Sequence, residues 1–247
     1  MSFFEKLKIN RLPSTKFDAI TRLPECVFFD YDGTIINNSK YLVKAFNYAL
    51  KCNFNKKKDK KILNEIKKIK KDSDKWNYIK TNCSNEIFAK CNTDYDIYLS
   101  SQRLCKIRGV ENVLKKLKKL NIPMYVISQK RGDGLREELK KAKLMPKYFV
   151  NAYGTLDFKE LQKPSKEYVD AVRTDSKTKS KSCWMIGDRC SDVITGINMN
   201  GKAFIIDKGE FNKINQEFND EIGKKIFFTS YRRLEKLIKK LSKKNSF

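Results

Sequence analysis

The chain reads as an α/β protein, a Rossmann-like parallel sheet with helices on both faces, carrying an inserted all-helical segment. Three observations predict this. Short apolar runs of strand length alternate with amphipathic helical stretches. Several of those runs end on a polar or acidic residue followed by a turn or loop. Between Ser39 and Leu104 there is neither Pro nor Gly, and the apolar residues fall at helical spacing.

Taken in order, Cys26-Val27-Phe28-Phe29 predicts a strand buried on both faces, ending at Asp30 and a Gly turn. In the inserted segment Tyr41, Leu42, Ala45, Phe46 and Leu50 share one helical face, as do Ile62, Ile66 and Ile69. Trp76, Ile79, Ile87, Phe88 and Tyr95 continue that pattern. Alternation then resumes. A helix is expected over Val110 to Leu120 and a strand over Met124 to Ile127, ending at Ser128. A helix over Leu135 to Lys143 and a strand at Tyr148-Phe149-Val150 follow. Ser165 is the expected N-cap of a helix reaching Arg173. Strands at Cys183 to Ile186, Ala203 to Ile206 and the edge run Ile226-Phe227-Phe228 precede a basic helix from Tyr231 to Leu241. The domain reading is an N-terminal extension (1–24), a core made of 25–37 and 105–247, and a helical cap at 38–104.

Composition narrows the function classes. No run approaches 18 apolar residues, so no membrane span is expected. Met1 to Pro24 has no apolar signal core and carries Glu5 and Asp18. Seven Cys without a CxxC pair, and no His, argue against a disulfide framework or structural zinc and for a reducing cytoplasm. The formal net charge of +25 has two readings. An anionic partner such as nucleic acid is one. Lysine-biased composition is the other, and it is favoured because Arg, the residue suited to bidentate phosphate and base contacts, is scarce.

The chemistry is expected at the carboxyl ends of the strands. Asp30 and Asp32, Ser128, Lys163, and Asp188 with Asp192 all fall there or in the loops that follow. So many carboxylates in one place require a cation, and an all-oxygen donor set suits Mg2+. A nearby lysine adds positive charge, which is what phosphoryl transfer needs around its equatorial oxygens. Taken singly the signals are weak: Asp32-Gly33 is an ordinary turn, and Asp188 or Asp192 could cap a helix. Their order along one chain carries the argument.

That order resembles the haloacid dehalogenase-like (HAD) phosphatases. Asp30-Tyr31-Asp32-Gly33-Thr34 looks like the family's first motif, Tyr125-Val126-Ile127-Ser128 its second, Lys163-Pro164 its third, and Gly187-Asp188 with Asp192 its fourth. The resemblance covers roughly Cys26 to Ile206. An insertion between the first two motifs is similar to the helical C1 cap of phosphoglycolate-phosphatase-like members, and Arg108-Gly109-Val110 resembles their re-entry into the core. The resemblance implies that Asp30 attacks phosphorus to give an aspartyl-phosphate and that Asp32 serves as acid and then base. It implies magnesium at Asp30, the Asp32 carbonyl, Asp188 and Asp192 (the last directly or through water), with Ser128, Lys163, Gly33 and Thr34 around the phosphate. An acid at Asp32 is the pattern of the family's phosphatases and mutases, not its ATPases.

Gln129 stands where the family often has Asn, and Ile197-Asn198-Met199-Asn200-Gly201 replaces its usual Ala-rich helix end. Cys190 reads as an inert thiol and Ser191 as solvent-facing. Tyr41, Phe46 and Trp76 read as cap core, while Asn37, Asn38 and Lys40 lie near the hinge into the cap. The expected function is a Mg2+-dependent phosphatase acting on the phosphomonoester of a small metabolite. The alternatives are a phosphomutase of the same family, or a HAD-like scaffold that binds RNA through its basic surface.

Overall fold

The computed structural model describes residues 17, 20–54, 59–69, 72–102, 104–206 and 225–244. Most of the expected N-terminal extension and the last three residues of the Lys-rich tail lie outside them. Residues 38–104 form one compact unit, and residues 1–37 with 105–247 form another.

The first element is β1 (Cys26–Phe29), and the helical unit follows it with α1 (Ser39–Asn53), α2 (Lys60–Lys68), α3 (Asp72–Asn82) and α4 (Asn85–Ser101). The larger unit resumes with α5 (Val110–Lys119), β2 (Met124–Arg131), α6 (Gly132–Lys141), β3 (Asn151–Thr155) and α7 (Lys166–Asp175). It continues through β4 (Cys183–Gly187), α8 (Cys190–Asn198), β5 (Lys202–Ile206), β6 (Ile226–Thr229) and α9 (Tyr231–Lys244).

The six strands form one parallel sheet in the order β3-β2-β1-β4-β5-β6. Successive strands β1, β2 and β3 step one way, and the chain then crosses back to place β4 on the other side of β1. With right-handed crossovers this reversal opens a crevice at the carboxyl ends of β1 and β4. Both faces of the central strands are apolar because helices cover both. Cys26, Phe28, Tyr125, Ile127, Cys183 and Met185 pack with Tyr168, Val169 and Val172 of α7. On the opposite side, the Trp184 ring packs tilted on Phe204 and Phe204 stacks on Phe227, with centroids 4.6 and 5.3 Å apart, and Phe17 packs on the last two.

The strand expected at Tyr148-Phe149-Val150 begins later, at Asn151. Tyr148 and Phe149 are anchors of the connection: the Phe149 ring meets Phe29 edge-on at 5.7 Å, and the Tyr148 hydroxyl bonds Glu111. Pairing with β2 starts when the Val150 amide donates to the Met124 carbonyl at 2.9 Å. The strand itself includes Gly154, where a Cβ would come within 2.2 Å of the Lys130 carbonyl, so close approach of two backbones excludes the bulky residues that mark a strand in sequence. The second strand also runs past Ser128 to Arg131, with a register shift between Ile127 and Arg131.

In the helical unit, α1 packs on α4. Its core is Phe46, Ala49, Phe54, Ile66, Ile79 and Cys91, with the Trp76 ring edge-on to Phe46, Phe88 and Tyr95. Phe46 and Trp76 therefore serve as core, as read from their spacing. Ser84 caps α4 by accepting from the Ile87 amide at 3.3 Å. Among the described residues no helix is long and apolar enough to cross a membrane.

Candidate active site

The end of β1 delivers Asp30 into the crevice. Its amide continues the ladder to β4, donating to the Ile186 carbonyl at 2.8 Å. The chain then folds tightly on itself: the Ile35 and Ile36 amides donate to the Tyr31 carbonyl, and the Gly33 amide to Ile36 at 2.8 Å. Asp32 stands half-buried within this turn, while Thr34 is fully buried and its hydroxyl donates to Asp30 Oδ2 at 3.3 Å. Gly33 has φ +83°, and a Cβ there would sit 2.1 Å from Asp188 Oδ2. Glycine thus lets the Asp188 carboxylate lie against the turn. The Gly33 amide is used inside the turn, as is that of Thr34, which donates to Tyr31 at 3.4 Å; both residues shape the loop around Asp30.

Lys163 is buried, and its ammonium donates to Asp30 Oδ1, to Asp192 Oδ1 at 2.7 Å and to the Ile127 carbonyl at 3.2 Å. The loop that carries it is held from two sides. Gln129 donates its amide to the Lys163 carbonyl at 3.1 Å, and Asn198 donates to the Pro164 carbonyl at 2.7 Å. Ser165 then caps α7 through the Tyr168 amide at 3.2 Å, as its sequence position predicts.

Asp192 lies in the first turn of α8 with no exposed surface. Its Oδ2 accepts from the Asp188 and Arg189 amides at 3.0 and 2.9 Å, so the acid fixes the loop that presents Asp188. Gly187 makes room for it, since a Cβ there would lie 2.2 Å from the Asp192 carboxylate. Ser128 is buried at the edge of the crevice, its Oγ accepting from the Lys130 amide at 3.2 Å. Cys190 beside these acids has its thiol pKa raised by burial and by Asp192, which favours the unreactive protonated form.

The carboxylate oxygens of Asp30, Asp188 and Asp192 lie within 4.8 Å of one another. Burial raises the Asp30 carboxyl to about 7; Lys163 opposes the rise and Asp192 adds to it. For Lys163 burial pulls downward, but Asp192 and Asp30 outweigh it and raise the ammonium above its ordinary value, so it stays charged. Three carboxylates, with Asp32 beyond them, against the Lys163 ammonium and the Arg189 guanidinium leave an excess of negative charge in a poorly solvated place. The donor set is all oxygen, and the missing Cβ of Gly33 leaves the space that the Asp188 carboxylate occupies. These residues therefore fit a hard divalent cation.

The structure brings Asp30, Ser128, Lys163, Asp188 and Asp192 together around the crevice, with Asp32 two residues beyond Asp30 in the turn. Sequence reasoning missed the two amides that hold the Lys163 loop, because Gln and Asn carry no signal apart from the carbonyls they meet. It also missed a buried pair, Lys130 Nζ to Glu138 at 2.7 Å, with Lys130 positioned 5.7 Å from the Tyr31 ring centroid.

Comparison with known proteins agrees with this arrangement. The sequence profile of the haloacid dehalogenase-like hydrolases matches residues 27–206. The chain belongs to that family. The expectation of a phosphatase of this family, with a Rossmann-like core, stands. A relative named "Putative pyrophosphatase PpaX" from Caldanaerobacter subterraneus subsp. tengcongensis is 28% identical over 179 residues, covering 68% of this chain and 75% of the relative. Among solved structures, a predicted phosphoglycolate phosphatase from Haemophilus somnus aligns with TM-score 0.61 at 14% identity, covering 86% of this chain and 97% of the other. CbbY from Rhodobacter sphaeroides, solved with phosphate, aligns with TM-score 0.66 at 10% identity over 86% and 96% of the two chains. At such identities these two likenesses speak for the fold alone.

Proposed function

We propose that the chain is a Mg2+-dependent phosphatase that hydrolyses the phosphomonoester of a small metabolite through an aspartyl-phosphate on Asp30. The observation that carries this reading is the state of Asp30: it sits at the switch point of the sheet, one oxygen on Lys163 and the other on Thr34, with two further carboxylates close by. A buried carboxylate held by both oxygens is oriented for a single direction of attack.

In this reading Asp30 attacks phosphorus and the ester oxygen leaves, taking a proton from Asp32. Asp32 then removes a proton from water as the water attacks the phosphorus of the aspartyl-phosphate, releasing phosphate and freeing Asp30. Ser128 donates its hydroxyl to a phosphoryl oxygen, and Lys163 offers its ammonium both to Asp30 and to the charge that develops on phosphorus. Magnesium would be held by Asp30, the Asp32 carbonyl and Asp188, with Asp192 directly or through water, and it would supply positive charge to the phosphoryl oxygens. Gly33 and Thr34 act on the phosphate through the loop they shape. The helical unit of residues 38–104, inserted between the first two motifs, is the C1 cap that selects the leaving group. Seven cysteines without a CxxC pair support a reducing cytoplasm as its compartment.

The test is phosphate release from a panel that holds phosphoglycolate, pyrophosphate, sugar phosphates, nucleotides and a generic aryl phosphate, with and without magnesium. Pyrophosphate belongs in the panel because of the named relative. The proposal expects magnesium-dependent release that Asp30→Asn abolishes. Release untouched by Asp30→Asn would remove it. A stoichiometric burst accompanied by substrate isomerisation would favour a phosphomutase.

A further inference from the structure

The family match ends at residue 206, yet a residue well beyond it reaches the nucleophile loop. Tyr231, the first residue of α9, is buried, and its hydroxyl donates to the Thr34 carbonyl at 2.8 Å across 197 positions of sequence. Its seat is built for it. Gly109, with φ +90°, stands where a Cβ would come within 3.0 Å of the Tyr231 Cβ, so the start of α5 leaves room for the ring.

The Thr34 carbonyl belongs to a fully buried residue in the turn that follows Asp30. Other carbonyls of this turn have backbone donors: Tyr31 accepts from Ile35 and Ile36, and Ile35 accepts from Ile107 at 2.9 Å. For Thr34 the donor is the Tyr231 hydroxyl. Burial, and after it the charges of Asp30 and Asp188, hold the phenol in its protonated, donating form. Fixing this carbonyl fixes the peptide plane of Thr34, and with it the direction of the Thr34 side chain. That side chain is the one whose hydroxyl donates to Asp30 Oδ2 at 3.3 Å.

We propose that Tyr231 is a positioning residue for the nucleophile, acting through Thr34 to hold the Asp30 carboxylate in its attacking orientation. The last strand and helix are thereby part of the catalytic architecture and not only a flank of the sheet. This rests on the reading of Asp30 as nucleophile. A phenylalanine would fill the same cavity, so the hydroxyl alone carries the effect. A misplaced nucleophile lowers the rate of the chemical step with little effect on ground-state binding.

The experiment measures kcat, KM and thermal midpoint with a generic aryl phosphate at saturating magnesium for Tyr231→Phe, Thr34→Val, the double variant and Thr34→Ser. Tyr231→Phe and Thr34→Val are each expected to lower kcat about tenfold with KM within about twofold. The double variant is expected to be no slower than Thr34→Val, because both act on one path. Thr34→Ser, which keeps the hydroxyl, retains most of the activity. Wild-type kcat for Tyr231→Phe, or losses that multiply in the double variant, would overturn the proposal. Should Tyr231→Phe fail to fold, wild-type kcat in Thr34→Val would overturn it equally. Asp30→Asn, run alongside, separates the two layers. If Asp30→Asn keeps activity, the nucleophile assignment and this proposal fall together; if it is inactive while Tyr231→Phe is wild-type, this proposal alone falls.

Discussion

Replacing Asp30 with Asn should stabilise the metal-free protein at neutral and alkaline pH while it removes activity. Without a divalent ion the site holds the carboxylates of Asp30, Asp188 and Asp192 against the Lys163 ammonium, which pairs with two of them, and the Arg189 guanidinium near all three. Burial raises the Asp30 carboxyl from 3.8 to about 7, with Lys163 opposing and Asp192 adding, so its ionisation in the folded state costs up to about 4 kcal/mol. The folded state binds the proton more tightly than the unfolded chain between about pH 4 and 7. Stability therefore falls as pH rises through that window and is level above it. Asn is neutral and nearly isosteric, so the variant avoids this loss but gives up part of the contact with Lys163. A net gain of about 2 kcal/mol above pH 7.5 corresponds to a rise of about 4–8 °C in thermal midpoint for a chain of this size. Below about pH 4, where Asp30 is protonated in the folded and unfolded states alike, this advantage should vanish and the wild type should be the more stable by what the amide gives up at Lys163. The assay is thermal unfolding in EDTA at half-unit pH steps. A variant less stable than wild type at every pH, or a difference that does not change with pH, would show that Lys163 keeps Asp30 ionised throughout and would refute the reasoning. Magnesium should reverse the order, because binding to the native state stabilises the protein with the complete ligand set.

Other substitutions probe the supports of the site. Gly33→Ala forces a Cβ into the Asp188 carboxylate at a positive φ; magnesium affinity measured by titration should fall at least about tenfold. Lys163→Met leaves Asp30 and Asp192 buried without their cation and should cost about 3–5 kcal/mol in metal-free unfolding, a deficit that magnesium reduces. Asn198→Ala removes the donor to the Pro164 carbonyl and should cost about 1 kcal/mol by denaturant titration, with a measurable loss of kcat because the same loop carries Lys163.

The parts of the fold legible in the sequence were those where one physical requirement acts locally. Cys26–Phe29 and Cys183–Gly187 lie in a sheet covered on both faces, so they must be apolar throughout, and such runs are conspicuous in a highly charged chain. Asp30 and Asp188 follow those strands directly. Ser165 announces α7 because an N-cap works within three residues. The failures are of another kind. Tyr148 and Phe149 are apolar because a loop is anchored to the core, and period alone does not separate that from a strand. Gln129, Asn198 and Tyr231 matter through single carbonyls reached across 34, 34 and 197 positions, and a donor type gives no sign of the acceptor it will meet after folding. The departures from the family pattern at Gln129 and Asn198, which looked like dilution of the resemblance, are the two residues that hold the Lys163 loop.

The central claim is that Asp30 becomes phosphorylated, and trapping the intermediate tests it most directly. Enzyme mixed with a rapidly hydrolysed substrate and magnesium is quenched in acid within a turnover, reduced with borohydride, digested and mapped by mass spectrometry. The account predicts reduction of the acyl phosphate at Asp30, converting that residue to homoserine, and no such product in Asp30→Asn. Modification at Asp32 or Asp188, or steady hydrolysis with Asp30 unmodified at every quench time, would contradict it.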